Sequence, residues 1–442
     1  MKTVSVFGIG KLGFPMVACF DSKGYRVIGY DVDEKVVKSV NERKPLIYEP
    51  GLIELLQKAG DLSATNDYKY ALGNSEMTFI IVPTPSQADG SFSTRYVESA
   101  AEQIATVLKD KSDFHIVVLT STVLPGDSED KIISLLERVS GKRCGSDFGF
   151  CYSPEFIALG SVIRNFFNPD VVLIGESDSK SGDVLSEFYQ SICDNNPPVV
   201  RTSIRSAELA KIALNSFVTM KMSFANTLAE LCERIPGGDS EAVSQLLGFD
   251  SRIGRKYLTG ALAYGGPCFP RDNKAFTFFA NNVGCDARLA KATHAENEHQ
   301  NERIVAFIRE KIGEVKGKNI AILGLTYKPG TDVIEESAAV TISNTLLAQG
   351  VVLSVFDPAG MNSARIILGD NSIRYAGSIK ECLQEADFCI LTTPWDEFKN
   401  LKPEDFTTGM KQPILLDCWR VFNPKVFSQK MEYHAIGLNY GG

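Results

Sequence analysis

The 442-residue chain is short of positive charge: 46 lysines and arginines face 54 aspartates and glutamates, for a net charge of -8. That balance excludes a nucleic-acid backbone or an anionic membrane surface as its main partner, so an anionic ligand must be met by local cations. No apolar run approaches the length that spans a bilayer, which excludes a membrane-embedded protein. Ten cysteines are present, yet none forms a C-x-x-C pair or a spacing typical of zinc sites. Neither a disulfide framework nor a metal centre is therefore expected, and most thiols read as small buried apolar groups in a reducing cytosol. Low-complexity tracts and solenoid repeats are missing as well. The text from Thr3 enters a strand at once and leaves no room for a signal peptide, so a cytoplasmic protein is expected.

What is present is an ordinary globular composition, 44% hydrophobic and 23% charged, long enough for about three structural units. Val4–Phe7, Arg26–Tyr30, Thr78–Val82, His115–Leu119 and Phe148–Tyr152 read as short strands. Helical stretches such as Lys35–Asn41, Arg95–Leu108 and Ser128–Val139 separate them. Such alternation predicts βαβ units in a mostly parallel, doubly wound sheet. From Ser206 to Glu233 the text is free of Pro and Gly and predicts one long helix, ended by Pro236-Gly237-Gly238. Helical text continues to Gly313 and is broken at Gly265-Gly266-Pro267. A second βα series follows, with strands at Lys318–Leu323, Val351–Phe356, Phe388–Leu391 and Ile414–Leu416. The expected fold is α/β, with two Rossmann-like doubly wound domains (1–203 and 315–442) joined by a helical connector (204–314).

Gly8-Ile9-Gly10-Lys11-Leu12-Gly13 lies between the first strand and a helix. The first glycine makes the tight turn, the second lets a pyrophosphate approach the backbone, and the third lets helix and strand pack. Asp31 ends the second strand, 18 residues after Gly13. A carboxylate there bonds the ribose hydroxyls of NAD and repels the extra phosphate of NADP, so the expected cofactor is NAD. The second series has Gly324 after a strand but no G-x-G-x-x-G.

Cys268 sits in Gly265-Gly266-Pro267-Cys268-Phe269-Pro270-Arg271-Asp272, a glycine-rich turn before a helix. Helix amides and basic neighbours can raise the thiolate fraction of such a thiol, whereas an isolated cysteine is more often inert packing. Lys211 and Asn215 are four apart on the long helix and share a face, where they can stabilise an oxyanion; a solvated helix face has the same spacing. Glu155 in Ser153-Pro154-Glu155-Phe156 follows a strand, at the sheet end where ligands bind. It can act as a general base toward water or simply cap a helix. Ser121-Thr122-Val123 follows another strand, and the Thr122 hydroxyl can hold a water or a cofactor ribose.

Together these residues resemble the UDP-glucose/GDP-mannose dehydrogenase family over nearly the whole chain, most closely its UDP-glucose 6-dehydrogenase branch. The matching text also includes Ile47-Tyr48-Glu49-Pro50-Gly51, Val82-Pro83-Thr84-Pro85, and Tyr327-Lys328 with Asp332. The resemblance implies a four-electron oxidation of a nucleotide sugar by two NAD, UDP-glucose to UDP-glucuronate. Cys268 would form a thiohemiacetal and then a thioester, which water assisted by Glu155 would release. It implies that Lys211, Asn215 and Asp272 stabilise oxyanions and shuttle protons, and that Thr122 positions water. Thr84, Pro85, Ser121 and Arg271 would join the glycine loop around NAD. Glu155, Phe156, Ile157, Lys211, Asn215, Tyr257, Leu258, Gly265, Lys328 and Arg420 would bind the nucleotide sugar, with Arg252 reaching a neighbour's sugar across a homodimer. The connector would then serve dimerisation and the C-terminal domain the nucleotide sugar.

Three departures from the family pattern stand out: Glu335 where an arginine is usual, Leu159 for a glutamate, and Val171 where an arginine is common. Three other readings stay open. The same reaction on a UDP-N-acetylhexosamine would need only an altered pocket loop. A two-electron hydroxy-acid dehydrogenase would need no thiol, and an NAD-binding redox sensor would need no catalytic set.

Overall fold

A computed structural model describes residues 3–439. Its residues form two compact units: one runs to Leu214 and takes in Phe278–Val283, and the other comprises Asn215–Thr277 and the chain from Gly284 onward. Among the described residues no helix is long and apolar enough to cross a membrane.

The first unit is built on a sheet of eight strands: β1 (Thr3–Phe7), β2 (Arg26–Tyr30), β3 (Leu62–Thr65), β4 (Met77–Ile80), β5 (His115–Leu119), β6 (Phe148–Tyr152), β7 (Val172–Glu176) and β8 (Val199–Thr202). Their spatial order is β3-β2-β1-β4-β5-β6-β7-β8. Every pair is parallel except β6 with β7, where Cys151 faces Glu176. Period-two side chains divide the core into two layers. Val4, Val6, Ile116, Val118 and Cys151 pack with the helices Gly13–Ser22 and Ser179–Ile192. Phe7, Val117, Leu119, Phe148 and Phe150 pack with the helix Arg95–Leu108 on the other face. Residues buried on both faces give the near-continuous apolar runs of a covered parallel sheet.

The second unit carries β9 (Asn319–Leu323), β10 (Val352–Phe356), β11 (Ile373–Tyr375), β12 (Phe388–Leu391), β13 (Ile414–Asp417) and β14 (Glu432–Ala435), parallel throughout in the order β11-β10-β9-β12-β13-β14. Both sheets reverse strand order beside their first strand, β1 against β4 and β9 against β12, which is where a doubly wound sheet opens a crevice.

The two sheets share one local design. The amide of Gly8 donates to Tyr30 O (2.9 Å) and that of Gly324 to Phe356 O (2.8 Å). Ile9 N–H donates to Asp31 Oδ2 at 3.0 Å, and Leu325 N–H to Asp357 Oδ2 at 2.7 Å. Asp357 is buried and also accepts from Thr326, Ala359, Gly360 and Trp395. An acid so fully engaged has little left for a ribose, which sets Asp357 apart from Asp31.

The long helix runs Ile204–Arg234, two residues longer at its start and one at its end than the sequence predicts. Pro236, without an amide hydrogen, and Gly237 at φ +76° end it. The stretch expected as one helix from Ser128 begins with a wider π turn, Ser128–Ile133, before α-helix Ser134–Ser140. β3, β7, β8, β11 and β14 lie outside the strands read from the sequence. Four of them are three or four residues long and β8 is half-exposed or exposed throughout, so their apolar signal is weak.

Candidate active site

The carboxyl ends of β1, β2, β4, β5 and β6 all point the same way, so the loops after them share one edge of the first sheet. Gly8 has φ +95°, and a Cβ there would lie 2.3 Å from Ile81 O; one on Gly13 would lie 2.0 Å from Gly8 O. Gly10 differs, because nothing lies within 4 Å of where its Cβ would be. The first and third glycines are demanded by protein packing, and the second leaves open space beside the backbone. Helix Gly13–Ser22 has no side-chain cap and no acid in its first turn, so its leading amides suit a phosphate. Asp31 ties its carboxylate to Ile9 N–H (3.0 Å) and Asp33 N–H (3.0 Å), holding it beside the glycine loop. These residues fit a dinucleotide. Lys11 and Pro85 are exposed, and Leu12 is half-buried. Thr84 Oγ1 donates to Thr122 O (2.7 Å) and Ser121 Oγ bonds both the Val82 amide and carbonyl, joining the loops after β4 and β5.

Glu155 follows β6 and is held from several sides within the first unit. Tyr189 donates its hydroxyl to Glu155 Oε1 (3.0 Å), and Lys211 Nζ donates to the Glu155 carbonyl (2.8 Å) while lying 5.0 Å from the Phe156 ring centre. Burial pushes the Glu155 carboxyl up to about 7, against the opposing pull of the Tyr189 hydrogen bond and the Lys211 charge. A carboxylate poised there suits general base catalysis near neutral pH. Phe156 and Ile157 are half-buried beside it.

The second cluster lies within the second unit. Cys268 is exposed, directly ahead of the helix Phe269–Asn282, and its carbonyl accepts from Asp272 N–H (2.8 Å). Asp272 is fully buried and accepts from Asn215 Nδ2 (2.6 Å) and from Arg271 Nη2 (2.9 Å). Burial opposes the Arg271 charge, but Asp272, Cys268 and Glu335 outweigh it and raise its pKa. Arg271 is thus engaged by Asp272, with the Glu335 carboxylate in its field. A Cβ on Gly265 would sit 2.1 Å from Glu336 O, and Gly266 (φ +84°) lies against the Tyr327 ring, so both glycines permit close approach of the loop after β9.

The remaining candidates are spread over the second unit. Arg252 is exposed and pairs with Asp250 (2.5 Å). Tyr257 has φ +65° and meets Phe269 edge-on at 6.1 Å; Leu258 is buried. Lys328 Nζ lies 5.7 Å from the Tyr327 ring centre. Arg420, at φ +56°, donates to Asp239 (2.6 Å) and lines a cavity of about 330 Å³ with Trp419, Thr259 and Gly260. Leu159 and Val171 are both half-buried.

Sequence reasoning missed four carboxylates or phenols that hold these loops: Tyr189, Glu49, Glu208 and Asp239. Buried Glu49 accepts from Gly160 N–H (2.9 Å) and Val162 N–H (2.7 Å), closing the loop that starts at Glu155. Glu208 accepts from Gly126 N–H (2.6 Å) and Ser128 N–H (2.9 Å), anchoring the loop beyond Thr122 to the long helix. Of these only Glu49 stood in text already singled out.

The first unit carries a glycine loop and an acid after the next strand, the second an exposed cysteine ahead of a helix with a buried acid–amide pair, and both features suit an NAD-dependent dehydrogenase. This chain belongs to the UDP-glucose/GDP-mannose dehydrogenase family: the models of that family's NAD binding, central and UDP binding domains match residues 2–193, 205–299 and 321–424. The chain is 38% identical to UDP-glucose 6-dehydrogenase AglM of Haloferax volcanii, over 98% of this chain and 99% of that one. It is 33% identical to UDP-glucose 6-dehydrogenase TuaD of Bacillus subtilis, over 99% and 93%. Among solved structures, a UDP-glucose dehydrogenase from Pyrobaculum islandicum superposes with a TM-score of 0.91 at 33% identity, covering 99% of this chain and 98% of that one.

Proposed function

We propose that the chain oxidises the CH2OH of UDP-glucose to the carboxylate of UDP-glucuronate. The observation that carries this reading is the thiol of Cys268 at the head of the helix that presents buried Asp272 to Asn215. NAD, when bound, would supply the oxidising chemistry as a hydride acceptor. Gly8, Ile9, Gly10, Lys11, Leu12, Gly13 and Asp31 would hold it, with Thr84, Pro85, Ser121, Thr122 and Arg271 proposed as further cofactor contacts.

In the first oxidation the alcohol loses a proton as its carbon becomes an aldehyde, and Lys211 and Asp272 serve that proton's transfer. The Cys268 thiolate then adds to the aldehyde carbon, making a C–S bond and an oxyanion that Asn215 and Lys211 stabilise. After the second oxidation the carbon is a thioester. Glu155 takes a proton from water as its oxygen attacks that carbon, with Thr122 placing the water; the C–S bond breaks and Cys268 is regenerated. The sum is one alcohol, one water and two oxidised cofactors converted to a carboxylate, two reduced cofactors and three protons.

Phe156 and Ile157 of the first unit, and Tyr257, Leu258, Gly265, Lys328 and Arg420 of the second, would bind the nucleotide sugar. Functionally the chain divides at 203/204 and 314/315 into cofactor, connector and nucleotide-sugar parts. We place the enzyme in the cytoplasm as a homodimer. Phe217, Phe224 and Leu231, seven apart on the long helix, and Leu246 and Phe249 beyond it are all exposed, an apolar face suited to a second copy. Arg252, exposed in one chain, would complete the neighbour's sugar site.

Counting NADH per UDP-glucose tests the reaction. Two per sugar is expected. One identifies a two-electron dehydrogenase, and none with UDP-glucose but two with a UDP-N-acetylhexosamine moves the assignment to that sugar.

A further inference from the structure

Glu155 has two carboxylate oxygens and only one is taken. Tyr189, from the helix Ser179–Ile192, donates to Oε1 at 3.0 Å, while no described residue donates to Oε2. The Tyr189 ring is buried and fixed among aromatic neighbours, edge-on to Phe188 at 5.8 Å and tilted against Phe166 at 6.4 Å. Its oxygen is also fixed, because Ser153, two residues before Glu155, places Oγ 3.0 Å from it and 3.0 Å from Leu173 O. The phenol thus has one aim. A hydroxyl that gives its hydrogen to Oε1 restrains rotation of the carboxylate.

We propose that Tyr189 is a positioning residue for water attack, turning Glu155 so that Oε2 meets the water that cleaves the Cys268 thioester. This rests on the reading of Glu155 as the base. In the step itself Oε2 takes one proton from water, the water oxygen bonds the acyl carbon, and the sulfur leaves. Tyr189 keeps its proton throughout, since burial and then the Glu155 charge hold its phenol well above the ordinary range.

The charged and titratable groups around Glu155 are Lys211 on the long helix, Tyr189, Cys193 just past the Tyr189 helix, and Cys19 on the helix after β1. Both thiols are pushed up by burial, Cys193 to about 11, so neither titrates near neutrality. Neither neighbouring thiol therefore sets the acid limb, and the part of the limb that moves when Tyr189 alone is changed, with Cys268 untouched, reports Glu155.

The test compares wild type, Tyr189→Phe, Ser153→Ala and Glu155→Gln. A phenol hydrogen bond favours the ionised carboxylate, so removing it raises the pH at which the base form appears. Tyr189→Phe should move the acid limb of NADH production upward by about one pH unit. It should also slow release of the Cys268 acyl group several-fold on the plateau, with KM for NAD unchanged. Ser153→Ala, which frees the phenol rotor, should give a smaller effect in the same direction and serves if Tyr189→Phe does not fold. The carboxylate infrared band of the cofactor-free protein should titrate in step. A purely structural role would lower the rate equally at every pH. If Glu155→Gln is impaired but the limb and band stay in place in Tyr189→Phe, or in Ser153→Ala when that is the folded variant, the proposal fails alone. Native turnover by Glu155→Gln would overturn the base assignment and the proposal with it.

Discussion

Asp31 and Asp357 occupy the same place after the second strand of their sheets, and their surroundings decide what each can do. Asp357 is buried and accepts from loop amides, a hydroxyl and an indole. Asp31 is half-buried and, among the described residues, accepts from two amides. That leaves it able to meet a ribose while rejecting a phosphate. Asp31→Asn keeps an acceptor for Ile9 but removes the charge, so it isolates the electrostatic part. The variant should lose about tenfold or more in kcat/KM with NAD, the scale of one hydrogen bond to a charged group. Its rate with NADP should rise relative to NAD, as read from initial rates with both cofactors. Equal wild-type rates with the two cofactors would contradict this role.

At the scale of elements, the proposed dimer and the proposed mechanism would both draw on the long helix Ile204–Arg234. Lys211 and Asn215 share one of its faces, and Phe217, Phe224 and Leu231 repeat along an exposed stripe. A carboxylate in the middle of an apolar interface is costly to bury without a partner. Phe224→Asp should therefore give a monomer by analytical ultracentrifugation and raise KM for the nucleotide sugar on the order of tenfold, as Arg252→Ala should. Full activity in a verified monomer would show that no residue crosses between subunits. The helix was legible because its text lacks Gly and Pro, and the glycine loop because strand, spacing and acid coincide. Short edge strands such as β8, with exposed Val200 and Arg201, carry too little apolar text to stand out. The pairing of Tyr189 with Glu155 was illegible for another reason: 34 residues separate them, and only the antiparallel turn of β7 against β6 brings their elements together.

Across the whole molecule, a net charge of -8 coexists with anionic ligands because cations are placed singly and held by acids. Arg271 is held by Asp272 and Arg420 by Asp239. In the proposed mechanism one thiol carries the sugar between two oxidations and one carboxylate releases it. Glu155→Gln keeps the side chain's shape but cannot take a proton from water near neutral pH, so acyl release should slow while earlier steps proceed. The most direct measurement is mass spectrometry of the intact Glu155→Gln protein and its peptides after incubation with NAD and UDP-glucose. A nucleotide-sugar acyl adduct on Cys268 is expected, and it should be lost in the Glu155→Gln, Cys268→Ala double variant. Turnover at the native rate, or an adduct on another residue, would contradict it.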